Sequence, residues 1–332
     1  MNNLFSSIEI KGTILKNRIV MPPMVRFDLG GGDGFVTDEH IVHYQARAKG
    51  GVGLVIVEAT CVEKTARLSP HQLGLWSDDQ IPGFQRIAEA CHRYGTSVLV
   101  QIHHGGLNTH KDVTPALVAP SDYRGQTRGV VSSARALTVP EILNIQGEFT
   151  AAALRAKKAG LDGVELQGAH GFLISQFFSP LVNKRTDSYG GDLRNRSRFV
   201  VEIVTTMRRE VGNNFIIGCR MGCNEPDIET SIEIAKILEE CGIDLLHVSS
   251  GFGFMDEGLK VPIDFNYSWI VYGGTQIKKH VHVPVIVVNG IRTPEQAAYL
   301  VEQGLTDLVA VGTGQLHDPE WVKKARGHLS MH

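Results

Sequence analysis

Long apolar runs and paired cysteines are both missing from this sequence. No stretch of about 18 consecutive apolar residues occurs, which excludes a membrane-spanning helix. The first residues, Met1 to Ile10, lack the basic start and the apolar stretch of a signal peptide. The cysteines show none of the spacings that zinc or an iron–sulfur cluster requires; they are Cys61, Cys91, Cys219, Cys223 and Cys241. We therefore expect a cytoplasmic protein with buried thiols and no metal site.

An excess of charge of one sign is missing as well. The formal net charge is −2, and Lys and Arg do not cluster as they would on a surface that binds a nucleic-acid backbone. The remaining partners are a small-molecule substrate and further copies of the same chain, and a homo-oligomer stays open. The 332 residues are 42% apolar, enough for a large core, and we expect one domain over residues 1–332.

Short apolar runs alternate with helix-period segments along the whole chain, which is typical of repeated βα units around a parallel sheet. The runs are rich in β-branched residues and are continuous rather than alternating, as expected for strands that are buried on both faces. They predict eight strands and a (β/α)8 barrel: Arg18–Met21, Val52–Ala59, Val98–His104, Gly163–Gln167, Phe215–Met221, Leu245–Ser249, Val285–Asn289 and Leu308–Gly312.

Helix patterns with clear capping signals separate these strands. At Thr293-Pro294-Glu295-Gln296, a hydroxyl, a proline and an amide have the spacing of a capping box. Two connections are too long for simple linkers, Leu107–Thr138 after the third strand and Ser250–Trp269 after the sixth. Both leave the carboxyl-terminal face, where barrel enzymes build their active sites, so we expect them to wall a substrate pocket.

Two polar side chains are predicted inside buried strands. Gln101 is an amide within the third strand, and Arg220 is a charge at the end of the fifth. Each needs a partner, because an unpaired buried amide costs about 2 kcal/mol or more and a buried charge costs more still. A bound polar ring system would supply both partners. The alternatives are a core hydrogen bond to backbone for Gln101 and an ion pair with Glu165 for Arg220.

The most specific motif starts at Gln167 and ends at Asp192. It reads Gln-Gly-Ala-His-Gly-Phe-Leu-Ile-Ser-Gln-Phe-Phe-Ser-Pro-Leu-Val-Asn-Lys-Arg-Thr-Asp-Ser-Tyr-Gly-Gly-Asp. This block resembles the one that follows the fourth barrel strand in the old yellow enzymes, the FMN-dependent NADH:flavin oxidoreductases and ene-reductases. The likeness to the single-barrel bacterial type extends from about Leu4 to Trp321. It implies FMN as cofactor and NADH or NADPH as electron donor.

The resemblance also implies roles for individual residues around the flavin. Gln101 and Arg220 match positions that contact the isoalloxazine ring, Pro23 and Met24 match its backbone bed, and Ala59 matches the end of the second strand. The phosphate position matches four residues on the seventh and eighth strands, Asn289, Gly290, Gly312 and Thr313. Thr313 departs from the family, which usually has arginine there, so the phosphate loses one charge-assisted contact.

At the substrate position, His170 and Gln167 match the pair that holds a substrate oxygen. Phe172 departs from the family, because the usual residue is a tyrosine that donates a proton. The expected pocket is more apolar than in relatives, with Phe27 replacing a common tyrosine, Val25 a cysteine and Leu107 an arginine. Tyr267 is expected in the pocket, and the substitute proton donors that we consider are Tyr267, Tyr272 and Tyr123.

Three functions remain open at this point. The first is reduction of activated C=C bonds of small α,β-unsaturated substrates by ping-pong hydride transfer from NAD(P)H. The second is dehydrogenation or redox-neutral double-bond isomerisation on the same scaffold, where a lost proton donor matters less. The third is a flavin-binding barrel without turnover. A phosphate-substrate barrel without flavin would leave the buried amide and guanidinium unexplained.

Overall fold

A closed barrel of eight parallel strands forms the centre of the computed structural model, which describes residues 3–127, 130–252 and 258–331. The barrel strands follow one another in chain order, as the sequence predicts. Including the strands outside the barrel, the sheets contain β1 (Ile8–Ile10), β2 (Thr13–Leu15), β3 (Ile19–Met21), β4 (Leu54–Cys61), β5 (Ser97–His103), β6 (Val118–Ala119), β7 (Tyr123–Thr127), β8 (Val130–Ala136), β9 (Gly163–Gly168), β10 (Ile216–Gly222), β11 (Leu245–Ser249), β12 (Val285–Val288) and β13 (Leu308–Ala310).

Alternate residues of each barrel strand pack into two separate cores. On β4, Leu54 and Ile56 point into the barrel, where they join a cluster that fills its interior. Val55 and Val57 belong to the larger cluster between the barrel and its helices. Both faces of each strand are therefore buried, which is the physical reason for the continuous apolar runs. The β1–β2 hairpin contributes Ile10 and Leu15 to the interior cluster at the amino-terminal end.

Helices surround the barrel. The helices are α1 (Asp38–Lys49), α2 (Ile81–His92), α3 (Val139–Lys158), α4 (Leu173–Phe178), α5 (Leu193–Val211), α6 (Ile228–Glu240), α7 (Trp269–Lys278), α8 (Pro294–Glu302), α9 (Thr313–His317) and α10 (Trp321–Leu329). Of these, α1, α3, α5, α6, α7 and α8 begin at a Thr, Asp or Ser side-chain cap. The predicted capping box at Thr293 is present, with the hydroxyl accepting from the backbone N–H of Gln296. None of the helices in the described ranges is long and apolar enough to cross a membrane.

The long connection after β5 contains a small sheet that the sequence does not predict. Strand β8 pairs with β6 on one side and with β7 on the other, where Tyr123–Thr127 and Val130–Ala136 form an antiparallel hairpin. The connection after β11 is also long, and its residues 253–257, including Asp256 and Glu257, lie outside the described ranges. Both connections leave the carboxyl-terminal face of the barrel, as expected.

Candidate functional site

A cavity of about 950 Å³ opens at the carboxyl-terminal ends of the barrel strands. This is the face at which barrel enzymes place their chemistry. From the predicted cofactor set, the cavity is lined by Pro23, Met24, Ala59, Gln101 and Arg220. From the predicted catalytic and substrate set, it is lined by Phe27, Gln167, His170 and Phe172. The fold therefore brings residues from β3, β4, β5, β9 and β10 and their following loops to one place.

The floor of the cavity is a chain of buried polar side chains, which we call the floor network: Gln101, Glu165, Gln167, Arg220 and His247. Gln167 Nε2 donates to Gln101 Oε1 at 3.2 Å, and Gln101 Nε2 donates to Glu165 Oε1 at 2.7 Å. Glu165 Oε2 lies 2.8 Å from His247 Nδ1. Burial lowers the pKa of His247, so its imidazole is neutral near pH 7 and donates from Nδ1. These bonds orient both amides, and the predicted alternative of a backbone partner for Gln101 does not occur.

Two members of the floor network keep a buried nitrogen without a hydrogen-bond partner, Nε2 of His247 and Nε of Arg220. Of these two, Arg220 is the cation. Its Nη2 donates to Ser249 Oγ at 3.3 Å, whereas its buried Nε has no hydrogen-bond partner. No carboxylate of the described residues lies within 4.0 Å of the guanidinium, so the alternative ion pair with Glu165 is not formed. Burial lowers the pKa of Arg220 to about 10, and it remains a cation at neutral pH. A buried cation without an ion pair is suited to an anionic ligand.

The floor fits the ring system of FMN. A flavin needs polar contacts along its pyrimidine edge and a positive charge near N1 and O2. Gln101 on β5 and Arg220 on β10 offer an amide and a cation on the two sides of β9, and Nε of Arg220 has no partner in the protein. Pro23, Met24 and Ala59 provide an apolar bed next to these groups. Cofactor and floor therefore complement each other in both polarity and charge.

His170 and Gln167 lie beside each other at the end of β9. His170 has a φ of 58°, a left-handed conformation that is uncommon outside glycine, Asn, Asp and His. The backbone N–H of His170 donates to Ser250 O at 3.0 Å, which holds this turn in place. His170 Nδ1 lies 3.4 Å from Gln167 Nε2, and His170 Nε2 lies 2.7 Å from Ser249 Oγ. Two side chains this close can contact one oxygen atom of a ligand.

No tyrosine is found among the described residues that line the cavity. The ring of Phe172 lies there instead, edge-on to His170 with ring centroids 6.4 Å apart. The expectation that Tyr267 lines the substrate pocket does not match the structure. Its ring stacks on Tyr299, and its hydroxyl donates to Gln296 O at 3.1 Å, because the chain turns outward before α7. Tyr272 is on α7 and lines the same outer groove as Tyr267.

The residues predicted at the phosphate lie beside the cavity rather than in its lining. Asn289 and Gly290 form an exposed turn after β12, with φ angles of 97° and 72°. Gly312 follows β13, and a Cβ added there would lie 3.2 Å from Met24 Sδ. Thr313 begins the short helix α9. Because β13 pairs with β3, Gly312 lies next to the apolar bed at Met24.

Two buried carboxyl groups that the sequence did not point to support the walls of this cavity. Glu58 Oε2 accepts the backbone N–H of Arg26 at 2.8 Å, and burial raises the pKa of Glu58 to about 7. Glu225 Oε2 accepts from Ser175 Oγ at 2.7 Å and from the backbone N–H of Phe252 at 2.9 Å. Burial raises the pKa of Glu225 to about 8. Both hold loops that flank the floor rather than facing the cavity themselves.

Ser249 and the segment Asn108–Lys111 are further residues that sequence reasoning missed. Ser249 bridges Arg220 and His170, and its position at the end of a barrel strand was the only available signal. Asn108, Thr109, His110 and Lys111 line the cavity from the long connection after β5. That connection was predicted as a pocket wall, but only Leu107 and Tyr123 were singled out in it. Within the described residues, no group of three His, Cys, Asp or Glu side chains could hold a metal ion.

Fold and site together define a class, the flavin-dependent oxidoreductases built on a (β/α)8 barrel. The chain belongs to the NADH:flavin oxidoreductase / NADH oxidase family, which it matches over residues 3–332. An old yellow enzyme homologue from Zymomonas mobilis is similar in structure, with a TM-score of 0.82 and 27% identity over 98% of this chain and 93% of that one. The resemblance drawn from the motif at Gln167–Asp192 is thereby confirmed.

Several named relatives are similar over almost the whole chain. An NADH oxidase from Thermoanaerobacter brockii is 43% identical over 98% of this chain and 50% of its own length. An NADPH dehydrogenase from Halalkalibacterium halodurans is 36% identical over 98% of this chain and 94% of its own length. A 2-naphthoyl-CoA reductase structure has a TM-score of 0.90 at 28% identity, covering 98% of this chain and 52% of that one. The chain thus spans about half the length of two relatives and nearly all of others.

Proposed function

We propose that this chain binds FMN and uses NADH or NADPH to reduce activated C=C bonds of small α,β-unsaturated substrates. The feature that supports this function most directly is the floor network together with His170. A partly unpaired buried cation, two oriented amides and this imidazole line one cavity. The family membership supports the cofactor and the electron donor. The reduction of C=C bonds is a proposal that goes beyond the family.

Each part of FMN has residues suited to hold it. The pyrimidine edge of the ring would contact Gln101 and Arg220, and the apolar bed would lie under the ring at Met24 and Ala59. The phosphate would bind backbone N–H groups at the turns of Gly290 and Gly312. When bound, FMN supplies the centre that accepts a hydride from the nicotinamide and passes it to the substrate. The cation of Arg220 stabilises negative charge at that end of the cavity.

His170 and Gln167 are suited to hold a substrate oxygen. Their nitrogen atoms are 3.4 Å apart at the edge of the floor. A carbonyl oxygen between them would accept from Gln167 Nε2 and, in the tautomer with its proton on Nδ1, from His170. Such donation withdraws electrons from the conjugated double bond and opens its β-carbon to hydride. Morphinone reductase, a neighbour with a TM-score of 0.84 at 26% identity, was solved in complex with tetrahydroNAD. We infer that nicotinamide and substrate occupy the same cavity here in turn, as a ping-pong reaction requires.

Dehydrogenation or double-bond isomerisation is the second candidate function, and Phe172 favours it. The aromatic ring occupies the position where a proton-donating hydroxyl is expected, and no tyrosine lines the cavity within the described residues. A histamine dehydrogenase is also similar in structure, with a TM-score of 0.85 and 29% identity over 98% of this chain and 48% of that one. A flavin-binding barrel without turnover is less well supported, because flavin binding alone does not account for the adjacent side chains of His170 and Gln167 at the edge of the floor.

The deciding experiment has two stages. The visible spectrum of the purified protein, before and after incubation with FMN, tests whether a flavin binds at all. Anaerobic stopped-flow then follows reduction by NADH and by NADPH, and reoxidation by cyclohexenone, a nitroalkene and an enoyl thioester. A protein that stays colourless with FMN would refute the cofactor. Fast reduction by a nicotinamide with no reoxidation by any alkene would instead favour the dehydrogenase or isomerase function.

A further inference from the structure

The charged groups of the cavity are unevenly distributed. No Asp or Glu occurs among the described residues that line it, whereas Arg220 and Lys111 both contribute positive charge. Arg220 lies at the floor, where the proposed FMN accounts for its need of an anion. Lys111 is exposed and lines the same cavity from the connection after β5, which we call the rim. The flavin therefore leaves this second cation without an assigned ligand.

Lys111 has no carboxylate within 4.0 Å among the described residues, unlike Arg135 in the same connection. Arg135 Nη2 lies 2.6 Å from Glu141 Oε1 and is neutralised by it. Asp112, the acidic neighbour of Lys111, has its Oδ2 3.7 Å from His110 Nδ1. The backbone N–H of Asp112 donates to that same Nδ1 at 3.2 Å, which leaves Nε2 of His110 to carry the ring proton. At the rim, the carboxylate of Asp112 therefore lies against His110, and the ammonium group of Lys111 has no ion-pair partner within the described residues.

Apolar side chains make up much of the rest of the lining. Phe27, Leu68, Leu107 and Leu117 line the cavity together with the ring of Phe172. A substrate that reacts at His170 and reaches Lys111 would contact these side chains. The matching molecule is apolar in its middle and carries a negative charge at the end farthest from the double bond, because a positive charge at the cavity mouth favours an anion over neutral competitors.

We propose that Lys111 recognises an anionic group, a carboxylate or a phosphate, at the distal end of an activated alkene. This inference rests on the proposed function and narrows its substrate class to amphiphilic anions. Asn108 and Thr109 line the same side of the cavity and would donate or accept hydrogen bonds along the path. The contact is solvent-exposed, so we expect it to change affinity by about three- to fivefold and to weaken with salt.

The test measures binding without turnover. Three probes are titrated calorimetrically into oxidised, FMN-loaded protein with no nicotinamide present: 4-(3-oxobut-1-enyl)benzoate, its neutral methyl ester, and 4-(3-oxobut-1-enyl)phenyl phosphate. We expect one or both anions to bind more tightly than the ester, and the larger preference identifies carboxylate or phosphate. Lys111→Gln should abolish the preference and leave the ester's Kd unchanged. Raising the salt concentration should reduce the preference in the parent only.

Lys49→Gln is the matched control, because it removes the same charge at the end of α1, which is at the opposite end of the barrel from the cavity. It should keep the parent's preference. An anion preference that survives Lys111→Gln would overturn the inference, as would an equal loss of affinity for anions and ester. The diphosphate of NADH is a competing source of negative charge. If Lys111→Gln raises the Kd of NADH in anaerobic reduction but keeps the benzoate preference, Lys111 serves the nicotinamide and the inference is wrong.

Turnover of the methyl ester separates this inference from the proposed function. The parent should reduce the neutral ester with NADH or NADPH whether or not Lys111 binds anions, because the ester has no charge for Lys111 to contact. Failure of that reaction, with the anion preference intact, would refute ene-reduction and leave the rim site standing. Normal ester reduction with no anion preference would refute the rim site alone.

Discussion

The floor of the cavity and the part of its wall that Glu225 supports, between Ser175 and Phe252, each bury a glutamate. The two carboxyl groups have different surroundings. Glu165 in the floor accepts from Gln101 and from His247 and has the cation of Arg220 nearby. Glu225 in the wall accepts from the hydroxyl of Ser175 and from a backbone N–H, and it has the cation of Arg196 nearby. Nε of Arg220 in the floor has no hydrogen-bond partner, whereas Glu225 Oε2 in the wall accepts two hydrogen bonds from the protein. Equal burial therefore does not imply equal function.

Removing Arg220 takes the cation out of the floor network and should have the largest effect of the four substitutions on FMN binding. Arg220→Ala takes away the buried cation, so FMN binding should weaken by about 2–5 kcal/mol, the usual cost of truncating one member of a buried charged contact. The reduction potential of bound flavin should also fall, because the charge that favours the reduced anion is lost. Calorimetry and redox titration measure both. Arg220→Lys keeps the charge and should recover most of the potential, and an unchanged potential in a folded Arg220→Ala variant would contradict the role.

Neutralising Glu225 tests the wall. Its folded-state pKa of about 8 is above its ordinary value of 4.5, so the native state holds the proton more tightly. That stabilisation is present below about pH 4.5 and is lost as pH rises through about 8. Glu225→Gln keeps an oxygen that can accept both hydrogen bonds and removes the titration. We expect equal stability of variant and parent at pH 5 and a gain for the variant of the order of 2–4 kcal/mol at pH 9.

Urea unfolding of the FMN-loaded proteins at the two pH values checks this expectation. Glu58, whose pKa is also raised, to about 7, contributes equally to both proteins and cancels in the difference. Parallel stability curves for parent and variant would show that Glu225 does not titrate in this range. If Glu225→Gln changes the rate of flavin reduction by NADPH without changing stability, Glu225 has a catalytic role, and floor and wall do not differ in function as proposed.

His170 connects floor and wall, because its ring contacts Ser249 and its backbone is held by Ser250. His170→Ala should weaken binding of phenolic ligands by about 1.5–3 kcal/mol, the range of a hydrogen bond to a charged group, and remove their charge-transfer absorbance. FMN should remain bound. His170→Asn is the matched control, since asparagine tolerates the φ of 58° at this position. Loss of FMN in both variants would make His170 a structural residue.

Phe172→Tyr should have the smallest effect, a gain rather than a loss. General acids contribute about 10² to 10⁴ in rate, and a hydroxyl restored without its surroundings should recover at least about tenfold. Single-turnover reoxidation of reduced enzyme by cyclohexenone measures it, with Phe177→Tyr as a control outside the cavity. No gain, combined with fast reoxidation of the parent, would show that a proton donor is already in place. Slow reoxidation of both would favour the dehydrogenase or isomerase function.

Pattern and capping chemistry were sufficient for most of the fold. Leu245–Ser249 and Asp38–Lys49 have the predicted bounds, and the other predicted barrel strands differ from the observed ones by two residues or fewer at each end. These elements are predictable because burial on both faces and local caps leave a periodic trace. The sheet of β6–β8 was missed, since its short strands are rich in Gly and Ser and pair within a loop.

Candidate site residues on strands were easier to predict than those on loops. Gln101 and Arg220 were detectable because a buried polar group within an apolar run requires a partner. Tyr267 was placed in the pocket because it follows a barrel strand in sequence, but the direction of a loop after a strand depends on what the loop packs against. The phosphate turns at Gly290 and Gly312 have the expected backbone position, and their role remains a prediction.

The sequence by itself determined the barrel, the family and the identity of the polar groups at the strand ends, because these depend on periodicity and on a specific motif. Only the tertiary structure decided which of those groups meet. It showed that Gln101 bonds to Glu165, that Arg220 lacks an ion-pair partner in the described residues, and that Lys111 lies on the cavity rim. The physical reason is that contacts between side chains far apart in sequence depend on strand register and loop packing, which leave no local pattern.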